Sequence, residues 1–343
     1  MLLYSANMNL PISCRSFWGA VGVGVVMLTV SPATAQNLFE SDFGSGNIYE
    51  FTPGGTKSTF ASGLAHPSGL AFNSAGDLFV ADVGSGNIYE FTPSGARSTF
   101  ASGLNGPEGL AFNGAGDLFV ADIFSDNIYE FTPGGAQSTF ASGLTGPVGL
   151  AFNSAGDLFE ADANSGNIYE FTPAGVRTNF ASGLVGGPEY LAFDSVGNLF
   201  ESDYFSGNIY KFTSGGAQST FASGLLFPAG LAFNSAGDLL VADHGSGNIY
   251  LFTPGGVRST FASGLNNPFG LTFQPVPELA AVATNGVFQV SVSMSSPYCS
   301  TIIQVSTDMV NWSNIYTNTP PYTFIDSTAT VLPNRFYRAL VGP

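Results

Sequence analysis

Cysteine is nearly absent. Of the two in 343 residues, Cys14 precedes an apolar stretch near the start and Cys299 stands alone toward the other end. Once a leader is removed a single thiol remains, which excludes an internal disulfide framework and leaves packing as the source of stability. Cys299 itself reads as a small buried hydrophobe. Histidine is as scarce, with only His66 and His244; neither lies in a recognisable motif, and both read as incidental surface residues. Lys and Arg total 8 against 24 acidic residues, a formal charge of −16. A chain so poor in cations lacks the basic face that displaces counterions from phosphates, which argues against nucleic acid and against anionic membrane surfaces.

Long hydrophobic runs are also lacking, with one exception. Phe17 to Val30 forms an apolar run of about fourteen residues behind Arg15, and Ala33-Thr34-Ala35 offers a small-x-small cleavage site before Gln36. The run is shorter than the ~20 residues that span a bilayer. Residues 1–36 are therefore expected to be a signal peptide, with Met1 or Met8 as the start, and the mature protein to be secreted or periplasmic with no membrane span. Helical periodicity is missing throughout.

What the chain has in abundance is repetition. Leu78-Phe79-Val80-Ala81-Asp82 recurs at Leu38, Leu118, Leu158, Leu199 and Leu239, about forty residues apart, with one extra residue at Gly186 or Gly187. Each copy continues into Asn-Ile-Tyr-x-Phe, at Asn47, Asn87, Asn127, Asn167, Asn208 and Asn248, and then into a Phe-Ala-Ser-Gly-Leu run and a Pro-containing run. Within one unit Gly69–Asn73, Leu78–Asp82, Asn87–Thr92 and Arg97–Ser102 have strand-like composition. Hairpin loops are expected at Asn73 to Asp77, with Gly76 at positive φ, and at Thr92 to Gly95. Four short antiparallel strands per forty residues, six times over, predict an all-β fold, a six-bladed β-propeller over residues 37–273. The chain enters the repeat at a second strand and leaves it after a first strand, so one blade should be assembled from both ends, with Thr272 against Phe39. The four Phe per copy, such as Phe72, Phe79, Phe91 and Phe100, then serve packing between blades. The repeated Asp, such as Asp82, serves as an acceptor for nearby backbone amides.

Gly69-Leu-Ala-Phe-Asn-Ser-Ala-Gly-Asp-Leu-Phe-Val-Ala-Asp82 followed by Gly86-Asn-Ile-Tyr-Glu-Phe91 resembles an NHL repeat. The unit is also similar to the propellers of the gluconolactonase and regucalcin family and to those of the streptogramin-inactivating lyases. The first of these resemblances implies a divalent metal at the mouth of the central channel, held by Glu, Asn and Asp, and lactone or ester hydrolysis; the lyases depend on a His and a metal. At the Asn of the lactonase-type Pro-Asn-Gly-Leu motif this chain carries Ser68, Glu108, Val148, Glu189, Ala229 and Phe269. Glu108 and Glu189 are the only oxyanion donors among them, and Ca²⁺ prefers six to eight oxygens. No cofactor is predicted from the residues themselves; Ca²⁺ or another divalent ion is what the resemblance would add.

Beyond Phe273 the pattern changes. Residues 274–279 read as a Pro-containing linker, and 280–343 as a small β-sandwich resembling a fibronectin type III module, with strands at Val287–Ser293, Ile302–Ser306, Tyr322–Asp326 and Arg335–Leu340 and Trp312 as core anchor.

The copies differ from one another mainly in the connections of one face. After the repeated Asp these carry Phe43, Val83, Ile123 with Phe124, Asn164, Tyr204 with Phe205, and His244; before the Pro they carry His66, Asn105, Thr145, Leu226 with Phe227, and Asn266 with Asn267. Loops on a rigid scaffold are where binding resides. The expected ligand-binding residues are His66, Ser68, Glu108, Val148, Glu189, Tyr190, Tyr204, Phe205, Ala229, His244 and Phe269, with Glu108 and Glu189 the metal candidates and no catalytic residue assigned. The expected function is a secreted, monomeric, non-catalytic binding or scaffold protein for an extracellular ligand, glycan or protein. A lactonase-type hydrolase and a purely structural repeat protein are the alternatives.

Overall fold

The computed structural model describes residues 36–275 in full, and outside them the backbone of short strands only. Six four-stranded antiparallel sheets occupy the described body, five in simple sequence order and one with the ring's last strand set before its first three. We number the blades by their hairpins. Blade 1 joins Pro268–Phe273 to Leu38–Asp42, Asn47–Phe51 and Lys57–Ala61. Blade 2 spans Pro67–Ala101, blade 3 Pro107–Ser142, blade 4 Pro147–Ser182, blade 5 Pro188–Ala222 and blade 6 Pro228–Ser263. No helix occurs among the described residues.

The closure expected from the two ends is present. Leu271 pairs with Glu40, Thr272 with Phe39 and Phe273 with Leu38, and the Gln274 amide donates to the Asn37 carbonyl at 2.9 Å. The first strands of neighbouring blades touch in a continuous circle, blade 6 against blade 1 and blade 1 against blade 2. The inner strand of every blade is thereby covered by its neighbours, and each blade keeps only short, protected edges.

The core lies between blades. Phe39 and Ile48 of blade 1 pack with Leu70, Leu78, Val80 and Phe91 of blade 2. The Phe residues interlock edge to face: Phe39 sits 5.0 Å from Phe60 and 5.1 Å from Phe72, and Phe79, Phe119, Phe159 and Phe200 repeat the arrangement. Leu240 takes the corresponding place in blade 6. Burying each such ring contributes roughly 1.5–3 kcal/mol.

Hydrogen bonds at the turns follow the sequence reading. Gly76 has φ 87°, and Asn73 Oδ1 accepts the Asp77 amide at 2.8 Å. The repeated Asp ties the variable connections down. Asp42, Asp122 and Asp162 each accept an amide at 2.7 Å, from Asn266, Asn105 and Thr145, while Asp82 accepts that of Ala65 at 3.0 Å.

Outside 36–275, strands at Glu278–Thr284, Val287–Ser293 and Tyr322–Asp326 form one three-stranded sheet, and Ser313–Asn318, Thr301–Ser306 and Phe336–Val341 another. Trp312, Cys299, the cleavage site and most of the leader lie outside the described residues, and with them the sandwich and signal-peptide expectations.

Candidate functional site

The channel is walled by the first strand of each blade, Pro-x-Gly-Leu in five of them. The Gly is forced by crowding: a Cβ at Gly69 would stand 1.9 Å from the Glu108 carbonyl oxygen, and one at Gly109 1.9 Å from that of Val148. The residue before it is Ser68, Glu108, Val148, Glu189, Ala229 or Phe269. Ser68, Val148, Ala229 and Phe269 are buried, Glu108 and Glu189 half-buried.

Blade 5 departs from the rule by placing Tyr190 at the Gly position. It is accommodated because the Tyr190 amide donates to Ser202 Oγ at 3.0 Å, and Tyr190 pairs with Ser202 in a register the other first strands do not use. The phenol then reaches Ser68 Oγ, 3.3 Å away. Ser68 belongs to blade 2, three blades on in a ring of six, so Tyr190 crosses the channel and bars it. Its ring packs edge-on to Phe269, with centroids 5.7 Å apart. Burial pushes the Tyr190 hydroxyl well above its usual pKa, and nearby Glu108 and Glu189 push the same way while Ser68 opposes.

Glu108 and Glu189 flank Val148. Burial raises the Glu108 pKa to about 7. Glu189 is raised well above the ordinary value, first by burial and then by the charge of Glu108. Glu108 Oε2 is buried without a hydrogen-bond partner. The pair also acts on Tyr204, whose hydroxyl is pushed up to about 12 by burial, then by Glu189 and Glu108.

Above the channel a wall of rings runs across blades 2, 1, 6 and 5. His66 stacks on Phe43 at 4.7 Å, Phe43 lies 5.6 Å from Phe269, and His244 lies 5.5 Å from Phe269. Tyr204 continues the wall at 5.9 Å from His244, stacks on Phe227 at 5.1 Å and meets Phe205 edge-on at 5.1 Å. Asn267 Nδ2 is 2.8 Å from His244 Nε2. Burial lowers the His244 pKa, which keeps the ring neutral and lets Nε2 accept. His66, exposed as the sequence suggests, and His244, half-buried, both stand in this wall.

Four non-glycine residues in the described body have positive φ: His66 at 76°, Asp126 at 57°, Phe227 at 58° and Asn267 at 65°. All four stand on the variable face. Gly106, Gly146 and Gly187 fill the pre-proline position in the other blades at φ 72–85°. Holding a side chain there costs ~1–2 kcal/mol.

The structure therefore gathers the expected residues around one opening: Ser68 with Tyr190, Glu108 near Glu189, and His66, Tyr204, Phe205, His244 and Phe269 in the wall. Val148 and Ala229 contribute buried ring positions. Two wall residues, Phe43 and Phe227, were visible only as variable connections. Among the described residues no three His, Cys, Asp or Glu side chains come together as an ion site, so Glu108 and Glu189 are the acidic groups the mouth offers an ion, fewer ligands than Ca²⁺ takes. A cavity of about 640 Å³ lies between blades 4 and 5 at the opposite face, lined by Asn153, Asp194, Thr213 and neighbours; its blade 5 turns, Asp194 to Asn198 and Thr213-Ser214, depart from the Asn-x-Ala-Gly-Asp and Thr-Pro of the other copies.

No protein-family model matches the chain, and no curated protein matches its sequence. Solved structures share the fold. A chain of a nidogen/laminin complex aligns with TM-score 0.65 at 20% identity, covering 70% of this chain and 98% of that one. A virginiamycin B lyase from Staphylococcus aureus aligns with TM-score 0.57 at 16% identity, covering 79% and 91%. A gluconolactonase from Xanthomonas campestris aligns with TM-score 0.56 at 21% identity, covering 60% and 79%. At these identities the likeness is one of fold.

Proposed function

We propose that the chain is an exported, non-catalytic binding protein whose ligand sits at the variable mouth, against the aromatic wall and over the barred channel. One observation carries the reading: every strained non-glycine residue of the described body is on this face, and three of them, His66, Phe227 and Asn267, hold the wall together. Strain of this kind persists where a side chain is needed in place. The opposite face uses Gly at its positive-φ turn positions, as at Gly76 and Gly95. The solved neighbours include a propeller in complex with a protein partner and propellers that act on small molecules, so both kinds of occupant suit the scaffold. Export rests on Arg15, the apolar run and Ala33-Thr34-Ala35.

A small-molecule and glycan screen by ligand-observed NMR, run in parallel on the parent chain, on Tyr204→Ala and on Thr213→Ala at the opposite face, tests the site. Hits should vanish in Tyr204→Ala and survive in Thr213→Ala; hits that ignore Tyr204→Ala would refute it. N-terminal sequencing of exported protein should begin at Gln36.

A further inference from the structure

We propose that the occupant of this mouth is an organic cation, a quaternary ammonium or protonated amine group carried on an apolar body, with its charge between Glu108, Glu189 and the faces of the wall. This rests on the binding reading of the preceding subsection and adds a chemical class to it.

Three observations converge. First, the two carboxyls at the mouth have no cationic side chain beside them, and a bound cation would favour their ionised form. The five described Lys and Arg lie elsewhere: Lys57, Arg97, Arg177 and Arg258 over Tyr49, Tyr89, Tyr169 and Tyr250, and Lys211 over Phe200 and near Asp194. His244 is held neutral by burial. Second, the rings of Tyr190 and Tyr204 lie near the carboxyl pair, and the aromatic wall continues from Tyr204 to Phe227 and through His244 to Phe43; such rings attract a diffuse cation. Third, the oxygen count is wrong for an inorganic ion. Val148, Ala229 and Phe269 stand where a Ca²⁺ site would need further ligands. An ammonium with alkyl substituents is weakly hydrated and needs no such set. Glu108 Oε2, buried and without a partner, is an acceptor waiting for a counter-charge, and Phe227, 38% exposed, and Phe205, 74% exposed, offer apolar surface at the rim.

Isothermal titration of the full chain with choline and with its uncharged carbon isostere 3,3-dimethyl-1-butanol separates charge from shape. Choline should bind about tenfold more tightly, ~1.4 kcal/mol, most of it from the two carboxyls and the remainder from the rings. In the double variant Glu108→Gln, Glu189→Gln the preference should fall to within about threefold. Both substitutions remove buried charge, and an unchanged melting temperature and circular dichroism spectrum would confirm the fold. Equal binding of the two probes, lost in Tyr204→Ala, would leave the mouth as the site and overturn the cation. A choline preference untouched by the double variant would place the cation elsewhere and overturn the proposal, as would no choline binding at all.

Discussion

The third residue of the second strand is Val in blades 2, 3 and 6 and Glu in blades 1, 4 and 5. Glu40, Glu160 and Glu201 are fully buried, and none of their carboxyl oxygens has a hydrogen-bond partner. Burial raises all three pKa values well above the ordinary one, with Asp42, Asp162 and Asp203 adding to the effect. A carboxyl raised in the folded state holds its proton more tightly there than in the unfolded chain. Its contribution is therefore fully present below the unfolded value near 4.5 and is lost as pH rises toward the folded one. Stability should decline from about pH 4.5 upward, the reverse of a protein held by ion pairs. Glu160→Val, which copies Val120, should raise stability at pH 7 by about 1–3 kcal/mol, read as a higher urea midpoint with unchanged slope; a lower midpoint would show a partner for Glu160. His66→Gly, which copies Gly106, should leave stability unchanged or raise it by up to about 1 kcal/mol. The Glu residues were plain in the aligned copies, but nothing in a strand of alternating residues says that both of its faces will be covered; blade stacking buries them.

Strands, turns and their order were legible because each unit repeats the same punctuation, and the Asn73 and Thr92 turns formed as expected. The Gly of Pro-x-Gly-Leu was legible as a repeat but not as a contact, since its reason lies in the next blade. Gly109→Ala should destabilise by about 3 kcal/mol or more, because its Cβ would meet a backbone carbonyl and not a side chain that can turn away. Thermal unfolding will check this, and a shift below one degree would contradict it. Tyr190 escaped in the same way: its sequence neighbours placed it at the mouth, but only the changed pairing with Ser202 shows that it crosses to Ser68. Tyr190→Gly should open the channel and lower stability by about 2–4 kcal/mol, since the ring packs against the blade 5–6 core and against Phe269.

For the molecule as a whole, the two ends of the repeat already implied a ring fastened in blade 1. A chain ending at Asn267 would leave Leu38–Asp42 as an unpaired edge and should melt lower and self-associate in size-exclusion chromatography; a monomer of parent stability would deny the closure. The mouth was legible as the face where copies differ, while its continuity was not, because His66, Phe43, His244 and Tyr204 are brought together by the ring and lie far apart in the chain. Occupancy of that mouth is tested most directly by a crystal structure of the full chain grown above pH 7, where Glu108 is ionised, with benzyltrimethylammonium. The ammonium should lie within about 6 Å of the Tyr204 and Phe43 ring centroids and beside Glu108 and Glu189. Density in the groove between blades 4 and 5, with the mouth filled by water alone, would contradict it.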